Sequence, residues 1–169
     1  NDIYHSQQKI PLEMSPAQGT MLITFKEVLS AVYRFGMRPN ASIMIFGMGP
    51  VGLSFVLFTK ILGLGPIVVC DMESLRLDLA REMGADECLN VRSVKPEAWV
   101  KEHIPEGLDF VVDAVGVTDL LNQAMNMVKF NGAICAYGIS PQTRMNLSWE
   151  NGPYNWKLHF LQWPTFLEE

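Results

Sequence analysis

The fold of this chain follows from one ten-residue segment, Ile43-Met44-Ile45-Phe46-Gly47-Met48-Gly49-Pro50-Val51-Gly52. Its first four residues are apolar, as in a strand that is covered on both faces. A Gly-x-Gly-x-x-Gly run follows and leads into an apolar stretch long enough for a helix. A strand, a glycine run and a helix in this order are typical of a βαβ unit that binds a dinucleotide. The glycine run is short and common, but its position between a strand and a helix makes it evidence for dinucleotide binding.

Each glycine of the run has its own predicted role. Gly47 permits a tight turn, Gly49 lets a diphosphate approach a backbone that has no Cβ, and Gly52 brings helix and strand close together. We expect the diphosphate to bind the unpaired N–H groups at the positive end of the helix that begins near Val51. Pro50 fits this position because the first helical turn has an N–H group to spare.

Short β-branched apolar runs alternate with helical patterns from about residue 43 onward. This alternation is typical of an α/β fold with a parallel sheet. Strands are predicted at residues 43–46, 67–70, 87–91, 110–113, 133–136 and 158–161. Helices are predicted between the first five strands, at residues 51–62, 74–83, 95–103 and 118–129. With right-handed crossovers, these elements form a doubly wound, six-stranded Rossmann sheet with helices on both faces.

Two further segments flank the predicted sheet. Ser15 followed by Pro16 predicts a capped helix that runs to Phe35, within a preceding helical segment over residues 1–40. After the fifth strand, apolar and polar residues alternate from Met145 to Trp149. This alternation predicts a short edge strand.

An acidic residue stands where a dinucleotide-binding fold needs one. Asp71 follows the second predicted strand and lies about 20 residues beyond Gly52. An aspartate there accepts hydrogen bonds from the adenosine ribose and repels the 2′-phosphate of NADP, so NAD is the predicted cofactor. A second role for Asp71, as the cap of the helix that begins at Ser74, stays open and is compatible with the first.

Charge and hydropathy argue against two broad functions. The 169 residues include 13 Lys and Arg against 18 Asp and Glu, for a formal net charge of -5. Nucleic-acid binding needs a basic face that replaces phosphate counterions, so no such function is expected. The longest apolar stretch, residues 51–64, contains polar residues and is shorter than the ~20 residues that span a bilayer. No transmembrane helix is therefore expected.

The three cysteines, Cys70, Cys88 and Cys135, form no Cys-x-x-Cys pair. We expect buried free thiols in a reducing compartment, the cytoplasm, in preference to disulfides or structural zinc. The length predicts one domain over residues 1–169. Because the chain starts at Asn1 without an initiator Met or a signal-peptide core, it is expected to come from the interior of a longer protein.

Several stretches share one family pattern with the glycine run. They are Phe46 to Gly52, Val69-Cys70-Asp71 with Arg76-Leu77 and Ala80, Met83-Gly84-Ala85-Asp86, Asp109 to Gly116, and Gly132 to Gly138. Together they resemble the coenzyme domain of zinc-type medium-chain alcohol dehydrogenases. The resemblance covers roughly residues 11–163 and is far more specific than the glycine run alone.

The resemblance implies further contacts with the cofactor. Asp71 and Arg76 would flank the adenosine ribose, although Arg76 could instead be an ordinary solvated charge. The loops after the fourth and fifth strands would line the cofactor and approach its nicotinamide end, through Ala114, Val115 and Gly116 and through Tyr137, Gly138 and Ile139. From its position at the end of the fourth strand, Asp113 is expected to bind loop N–H groups; titration in catalysis is the alternative.

The activity implied by the resemblance is hydride transfer between an alcohol or polyol carbon and the nicotinamide, with zinc polarising the oxygen. Catalytic zinc needs three protein ligands, and in the family most of them lie in an N-terminal catalytic domain that this sequence does not resemble. Many relatives carry a ligand near Leu22 or Ile23, where this chain has apolar side chains. We therefore predict no metal site and no catalytic residue here, and expect the chain alone to bind NAD with little or no turnover.

Two other functions stay open beside the dehydrogenase. An S-adenosylmethionine methyltransferase also has a glycine-rich first loop, but it usually carries an acidic residue leading into that loop, where Ile45-Phe46 stands here. The other alternative is a noncatalytic module of the same family that binds or senses NAD.

The predicted edge strand from Met145 to Trp149 suggests a partner. The family places there a strand that pairs with its copy across a two-fold axis, and an unpaired apolar edge favours association. A homodimer with a continuous sheet is therefore the hypothesis for assembly, besides a small alcohol as the substrate of the full-length enzyme.

Overall fold

Strands and helices alternate along almost the whole of the chain, of which the computed structural model describes residues 9–142 and 144–161. The elements are α1 Pro16–Arg34, β1 Ile43–Phe46, α2 Pro50–Leu62, β2 Ile67–Asp71, α3 Ser74–Glu82, β3 Glu87–Asn90, α4 Pro96–His103, β4 Leu108–Asp113, α5 Thr118–Met125, β5 Val128–Ala136 and β6 Lys157–Phe160. A 3-10 turn, Trp149–Asn151, lies between β5 and β6. The predicted N-terminal helical segment starts at residue 1, and its first eight residues lie outside the described ones.

The described strands form one parallel sheet in the order β3-β2-β1-β4-β5-β6. The chain starts in the middle at β1, proceeds outward through β2 and β3, and then returns to the other side of β1 for β4, β5 and β6. This order confirms the predicted doubly wound fold. The reversal leaves a crevice at the carboxyl ends of β1 and β4, where sheets of this type bind ligands.

Hydrophobic cores cover both faces of the sheet. Ile43 and Ile45 of β1 belong to one core, together with side chains of α1, α2 and α3. Met44 and Phe46 belong to the other, together with side chains of α4 and α5. All four residues are buried. A strand covered on both faces needs an unbroken apolar sequence, which explains the apolar run Ile43–Phe46.

The first helix begins where the sequence predicts. The Ser15 hydroxyl accepts a hydrogen bond from the Gln18 N–H at 3.3 Å, and the Gln18 amide oxygen accepts one from the Ser15 N–H at 2.9 Å. This reciprocal capping box satisfies two N–H groups that a helix start otherwise leaves unpaired. Pro16 occupies the first helical position, and Phe35 is the C-terminal cap.

The helix predicted over residues 118–129 is too long, because α5 ends at Met125. Sheet hydrogen bonds replace the helical ones beyond that point: Leu108 N–H donates to the Met127 carbonyl at 2.8 Å, and Val128 pairs with Leu108 in β4. Strand β5 then continues past Asn131, which has a φ of 64° at an irregularity in the β4–β5 register. The apolar periodicity of this segment fits both structures, and long-range pairing with β4 decides between them.

The predicted edge strand from Met145 to Trp149 is wrong. Asn122 of α5 holds this segment, because its side-chain amide donates to the Asn146 carbonyl at 2.9 Å and accepts from the Ser148 N–H at 3.0 Å. Met145 and Leu147 pack on the core formed by α4 and α5. The apolar and polar alternation thus reflects packing on a helix, and β6 is the last strand at this edge of the described sheet.

Candidate nucleotide-binding site

The turn between β1 and α2 has the geometry predicted for the glycine run. Gly47 has a φ of 89°, a conformation that only glycine adopts readily. A Cβ on Gly52 would lie 1.7 Å from the Gly47 carbonyl oxygen, so the helix and the turn touch through their backbones. A Cβ on Gly49 would meet no atom within 4 Å. Gly47 and Gly52 are therefore needed by the protein itself, whereas Gly49 borders open space.

The start of α2 offers unpaired N–H groups beside that open space. Gly49 is the N-cap, Pro50 occupies the first turn, and no side chain caps the helix. The first N–H groups of any α-helix lack partners within the helix and carry a partial positive charge. No acidic residue lies in the first turn of α2 to offset this charge. An anionic group is therefore favoured next to Val51 and Gly52.

Asp71, at the end of β2, is buried and holds two loops together. Its carboxylate accepts a hydrogen bond from the Met48 N–H at 2.7 Å and another from the Glu73 N–H at 2.9 Å. The first of these bonds ties the glycine turn to the end of β2. The sequence did not predict this role, although the pairing of Phe46 with Cys70 brings the two loops into reach.

The proposed capping role of Asp71 is wrong. Its partner Glu73 is the N-cap of α3, and no side chain makes a capping hydrogen bond to that helix. The carboxylate instead accepts from the turn that precedes the helix.

Arg76 lies next to Asp71. Its guanidinium nitrogen is 3.7 Å from a carboxylate oxygen of Asp71, while the arginine side chain is 54% exposed. An ion pair with one solvated partner contributes little to stability. The exposed guanidinium therefore remains accessible at the rim of the site.

Asp113 has the loop-binding role predicted for it. It is buried at the end of β4, and its carboxylate accepts hydrogen bonds from Val115 N–H at 2.8 Å and Gly116 N–H at 2.9 Å. Burial raises the pKa of the Asp113 carboxyl above its ordinary value, and the backbone hydrogen bonds only partly offset that increase. These contacts fix the loop that follows β4.

A cavity of about 960 Å³ opens at the carboxyl ends of the strands, and we call it the carboxyl-edge cavity. Six of the predicted site residues line it: Gly47, Gly49, Asp71, Arg76, Ala114 and Val115. The sequence does not predict the remaining lining residues, which are Phe46, Cys70, Met72, Glu73, Val91, Val94, Lys95, Pro96, Glu97, Val117, Leu120 and Gln123. Most of them follow β3 or β4, so their place after a strand of a parallel sheet was the available signal.

The other predicted residues lie next to the cavity or beyond it. Pro50, Val51 and Gly52 form the first turn of α2, which begins directly after the lining residue Gly49. Gly116 lies between the lining residues Val115 and Val117 but is not itself part of the lining. Tyr137, Gly138 and Ile139 follow β5 and do not line the cavity. The Tyr137 ring packs edge-on against Phe55 of α2, with ring centroids 5.2 Å apart, whereas Ile139 is 71% exposed.

Within residues 9–142 and 144–161, no three or more His, Cys, Asp and Glu side chains are grouped so that they could hold a metal ion. Leu22 and Ile23 are exposed apolar residues of α1 and offer no metal ligand. The described residues therefore do not fit a zinc site.

The cysteines are free, as predicted, and two of the three are fully buried. Cys70 and Cys135 are buried, whereas Cys88 is half-buried and its thiol contacts the Leu77 carbonyl at 3.5 Å. Burial is the main cause that raises the pKa of all three thiols, which keeps them protonated at neutral pH.

Among the described helices, none has the length and apolar character that a bilayer crossing requires.

Proteins of similar sequence are dehydrogenases of small hydroxylated compounds. A sorbitol dehydrogenase of Bacillus subtilis is 31% identical over 140 residues, which cover 82% of this chain and 40% of that protein. An L-idonate 5-dehydrogenase of Vitis vinifera is 27% identical over 148 residues, which cover 83% of this chain and 40% of that protein. The chain thus spans about two fifths of the length of these relatives.

Solved structures of similar fold include three dehydrogenases. An alcohol dehydrogenase of a Thermus species has a TM-score of 0.77 and 25% identity, and the match covers 92% of this chain and 46% of that one. A zinc-binding dehydrogenase of Sinorhizobium meliloti with bound NADP has a TM-score of 0.82 at 19% identity, and the match covers 95% of this chain and 48% of that one. An alcohol dehydrogenase of Escherichia coli with bound NADH has a TM-score of 0.77 at 20% identity, with 92% and 46% covered.

The resemblance noted in the sequence is confirmed by a family profile. The profile described as zinc-binding dehydrogenase matches residues 50–156, from the first turn of α2 to the residue before β6. The match includes the loops after β2, β3 and β4 that line the carboxyl-edge cavity, as well as the loop after β5. Since it covers more than half of the chain, the chain belongs to the zinc-binding dehydrogenase family.

Proposed function

We propose that this chain is the NAD-binding domain of a medium-chain dehydrogenase that oxidises an alcohol or a polyol. The observation that carries the proposal is the carboxyl-edge cavity, where a buried acid at the end of β2 meets a glycine turn and an uncapped helix start. The named relatives, a sorbitol dehydrogenase and an L-idonate 5-dehydrogenase, support the substrate class.

The residues of the cavity fit a dinucleotide. Open space above Gly49 and the free end of α2 suit the diphosphate, and Gly47 and Gly52 shape that turn. Asp71 and Arg76 are adjacent and suit the adenosine ribose. When bound, the nicotinamide ring would supply a hydride acceptor at its C4 atom. The chain's own contribution is to bind and orient the cofactor, with the loops after β4 and β5 nearest the nicotinamide: Ala114, Val115, Gly116, Tyr137, Gly138 and Ile139.

NAD is the proposed cofactor in preference to NADP. The Asp71 carboxylate is buried at the end of β2, and the exposed Arg76 guanidinium lies 3.7 Å from it. A 2′-phosphate on the ribose would add negative charge beside this carboxylate, which costs free energy in a buried site. Of the dehydrogenases of similar fold, one carries NADP and another carries NADH, so they do not distinguish the two cofactors. The preference for NAD in this chain therefore rests on Asp71.

The complete enzyme is proposed to contain a catalytic domain besides this chain. The chain spans about two fifths of its relatives, and its described residues group no set of metal ligands. Any catalytic zinc would therefore be held by residues outside the described ones. The free thiols Cys70, Cys88 and Cys135 support a reducing, cytoplasmic compartment.

A homodimer is proposed at the outer edge of the sheet. Strand β6 pairs with β5 on one side and ends the described sheet on the other. Leu158 and Phe160 of β6 are exposed, as is Trp149 in the segment from Met145 to Trp149. Exposed apolar side chains on an unpaired strand favour pairing with a second copy. Molar mass in solution tests this proposal: a dimer for the native chain and a monomer for Leu158→Lys support it, whereas monomers in both contradict it.

Titration calorimetry of the 169-residue chain tests the cofactor proposal. Binding of NAD⁺ should give a saturable calorimetric isotherm with 1:1 stoichiometry. NADP⁺ should bind at least about tenfold more weakly, and S-adenosylmethionine should not bind. No binding of NAD⁺ to folded protein would contradict the proposal. Tight binding of S-adenosylmethionine would instead favour a methyltransferase.

An assay of the complete enzyme separates a dehydrogenase from a sensor that binds NAD without chemistry. Formation of NADH from NAD⁺ and a polyol such as sorbitol is expected for the dehydrogenase. A complete protein that binds NAD⁺ and reduces none of it with a panel of alcohols and polyols would favour the sensor.

A further inference from the structure

Asp113 binds two loops at once, because its main chain and its side chain have different partners. The carboxylate accepts from the loop after β4, as described above. The main-chain carbonyl accepts hydrogen bonds from Tyr137 N–H at 3.0 Å and Gly138 N–H at 2.8 Å, in the loop after β5. N–H groups of both loops therefore donate hydrogen bonds to one buried residue, Asp113.

The two loops also touch each other directly through their backbones. A Cβ on Gly116 would lie 2.3 Å from the Ile139 carbonyl oxygen, and a Cβ on Gly138 would lie 2.1 Å from the Gly116 nitrogen. No side chain separates the loops at these points. A change in the position of one loop must therefore move the other.

The position of these loops in the sheet links them to the second half of a dinucleotide. Strands β4 and β5 lie on the side of β1 opposite to β2 and Asp71. Sheets of this type bind a dinucleotide across the central crevice, one half on each side. The adenosine half belongs to the β2 side, so the nicotinamide half extends toward β4 and β5.

We propose that Asp113 is a positioning residue, whose carboxylate holds the loop after β4 against the loop after β5 so that both fit the nicotinamide half of the dinucleotide. The proposal rests on the proposed function of this chain as an NAD-binding domain. Asp113 lies beneath these loops and outside the lining of the carboxyl-edge cavity. Its effect on the cofactor is therefore transmitted through the loops that it holds.

The test compares two ligands that share the adenosine diphosphate but differ in the nicotinamide half. ADP and NADH are titrated into the native chain, Asp113→Ala and Asp113→Asn, with calorimetry for both ligands and nicotinamide fluorescence for NADH. Asp113→Ala removes the acceptor of two N–H groups, so NADH affinity should fall about tenfold or more while ADP affinity changes less than about threefold. Asp113→Asn keeps one acceptor oxygen, so its NADH affinity should lie between those of the native chain and Asp113→Ala.

A matched control distinguishes positioning from general stability. Asp109 is also a buried, hydrogen-bonded aspartate of β4, but it lies at the opposite end of the strand. Asp109→Asn should lower the free energy of unfolding and leave the ratio of NADH to ADP affinity unchanged.

Each of the following results would overturn the proposal. The first is a folded Asp113→Ala variant whose ratio of NADH to ADP affinity equals that of the native chain. The second is an Asp109→Asn variant whose ratio changes as much as that of Asp113→Ala. If Asp113→Ala does not fold, an unchanged ratio in Asp113→Asn overturns the proposal, and a ratio lowered about threefold or more supports it. A native chain that binds NADH no more tightly than ADP would contradict the positioning role alone, whereas a native chain that binds neither ligand would contradict the proposed function itself.

Discussion

The Asp71 carboxylate and the Met48 backbone N–H form a hydrogen bond of 2.7 Å between the ends of two adjacent strands. The acid proposed to bind the adenosine ribose therefore also holds the turn proposed to bind the diphosphate. Both parts of the site depend on one side chain, so a change at Asp71 affects the ligand contact and the shape of the turn together.

Replacing Asp71 should change cofactor preference. Asp71→Asn removes the negative charge but keeps an oxygen that can accept the Met48 N–H. NAD⁺ affinity should fall about tenfold, since a charged acceptor to the ribose is lost, and the preference for NAD⁺ over NADP⁺ should shrink. Calorimetric titration with both cofactors measures this. The control is Asp78→Asn on α3, an exposed acid that pairs with Arg81; equal effects of the two variants would refute the role of Asp71.

Adding one methyl group at Gly49 should block the ligand and leave the fold intact. No protein atom lies within 4 Å of the added Cβ, and the residue has an ordinary φ of -76°. Since alanine is a poorer N-cap than glycine, the free energy of unfolding should fall by no more than about 1 kcal/mol. NAD⁺ affinity should fall about tenfold or more, because the diphosphate loses its close approach.

The matched control for Gly49→Ala is Gly65→Ala. Gly65 lies just before β2, at the other end of the sheet, and an added Cβ there would make only an ordinary contact of 3.9 Å. Native NAD⁺ affinity in Gly49→Ala would show that the diphosphate does not bind above this residue.

The neighbouring change Gly52→Ala should act on stability. Its Cβ would lie 1.7 Å from the Gly47 carbonyl oxygen, and a backbone atom cannot move aside without displacing the turn. The variant should lose about 3 kcal/mol or more of unfolding free energy, as measured by urea denaturation. A loss of under 1 kcal/mol would mean that α2 does not pack as closely on the turn as described.

Asp109 should make stability depend on pH in the acidic range. Burial alone would raise the pKa of its carboxyl, but hydrogen bonds from Lys129 and Ser42 and the charge of Lys129 lower it below the ordinary value. Arg38 adds a contact of 2.8 Å. A lowered pKa in the folded state means that the stabilisation is present above about pH 4, the unfolded value, and is lost as the pH falls through the folded value.

Urea denaturation of the native chain and Asp109→Asn at several pH values checks this. The variant should be less stable by about 1–3 kcal/mol at pH 7, because Lys129 and Ser42 lose a charged acceptor. The difference between the two proteins should shrink below about pH 4. A difference that stays constant down to pH 2 would contradict a lowered pKa.

Much of the sheet could be predicted from local sequence patterns. Strand β1 is confirmed residue by residue, and the other five predicted strands overlap the observed ones. The predictions are wrong where one pattern of apolar and polar residues is compatible with two structures. Residues 126–129 continue an apolar helical period but pair with β4, and residues 145–149 alternate like a strand but pack on α5. Contacts distant in sequence decide such cases, and a local pattern does not contain them.

Local sequence patterns are enough to predict the first strand, the glycine turn, the helix after it and the acid at the end of the second strand. These features follow from steric limits and burial periods that operate within a few residues, as at Gly47 and Gly52. Local patterns do not predict which N–H groups Asp71 and Asp113 bind, or which residues after β3 and β4 form the cavity wall. Those choices depend on the order of strands in the sheet, which places loops side by side that lie far apart along the chain.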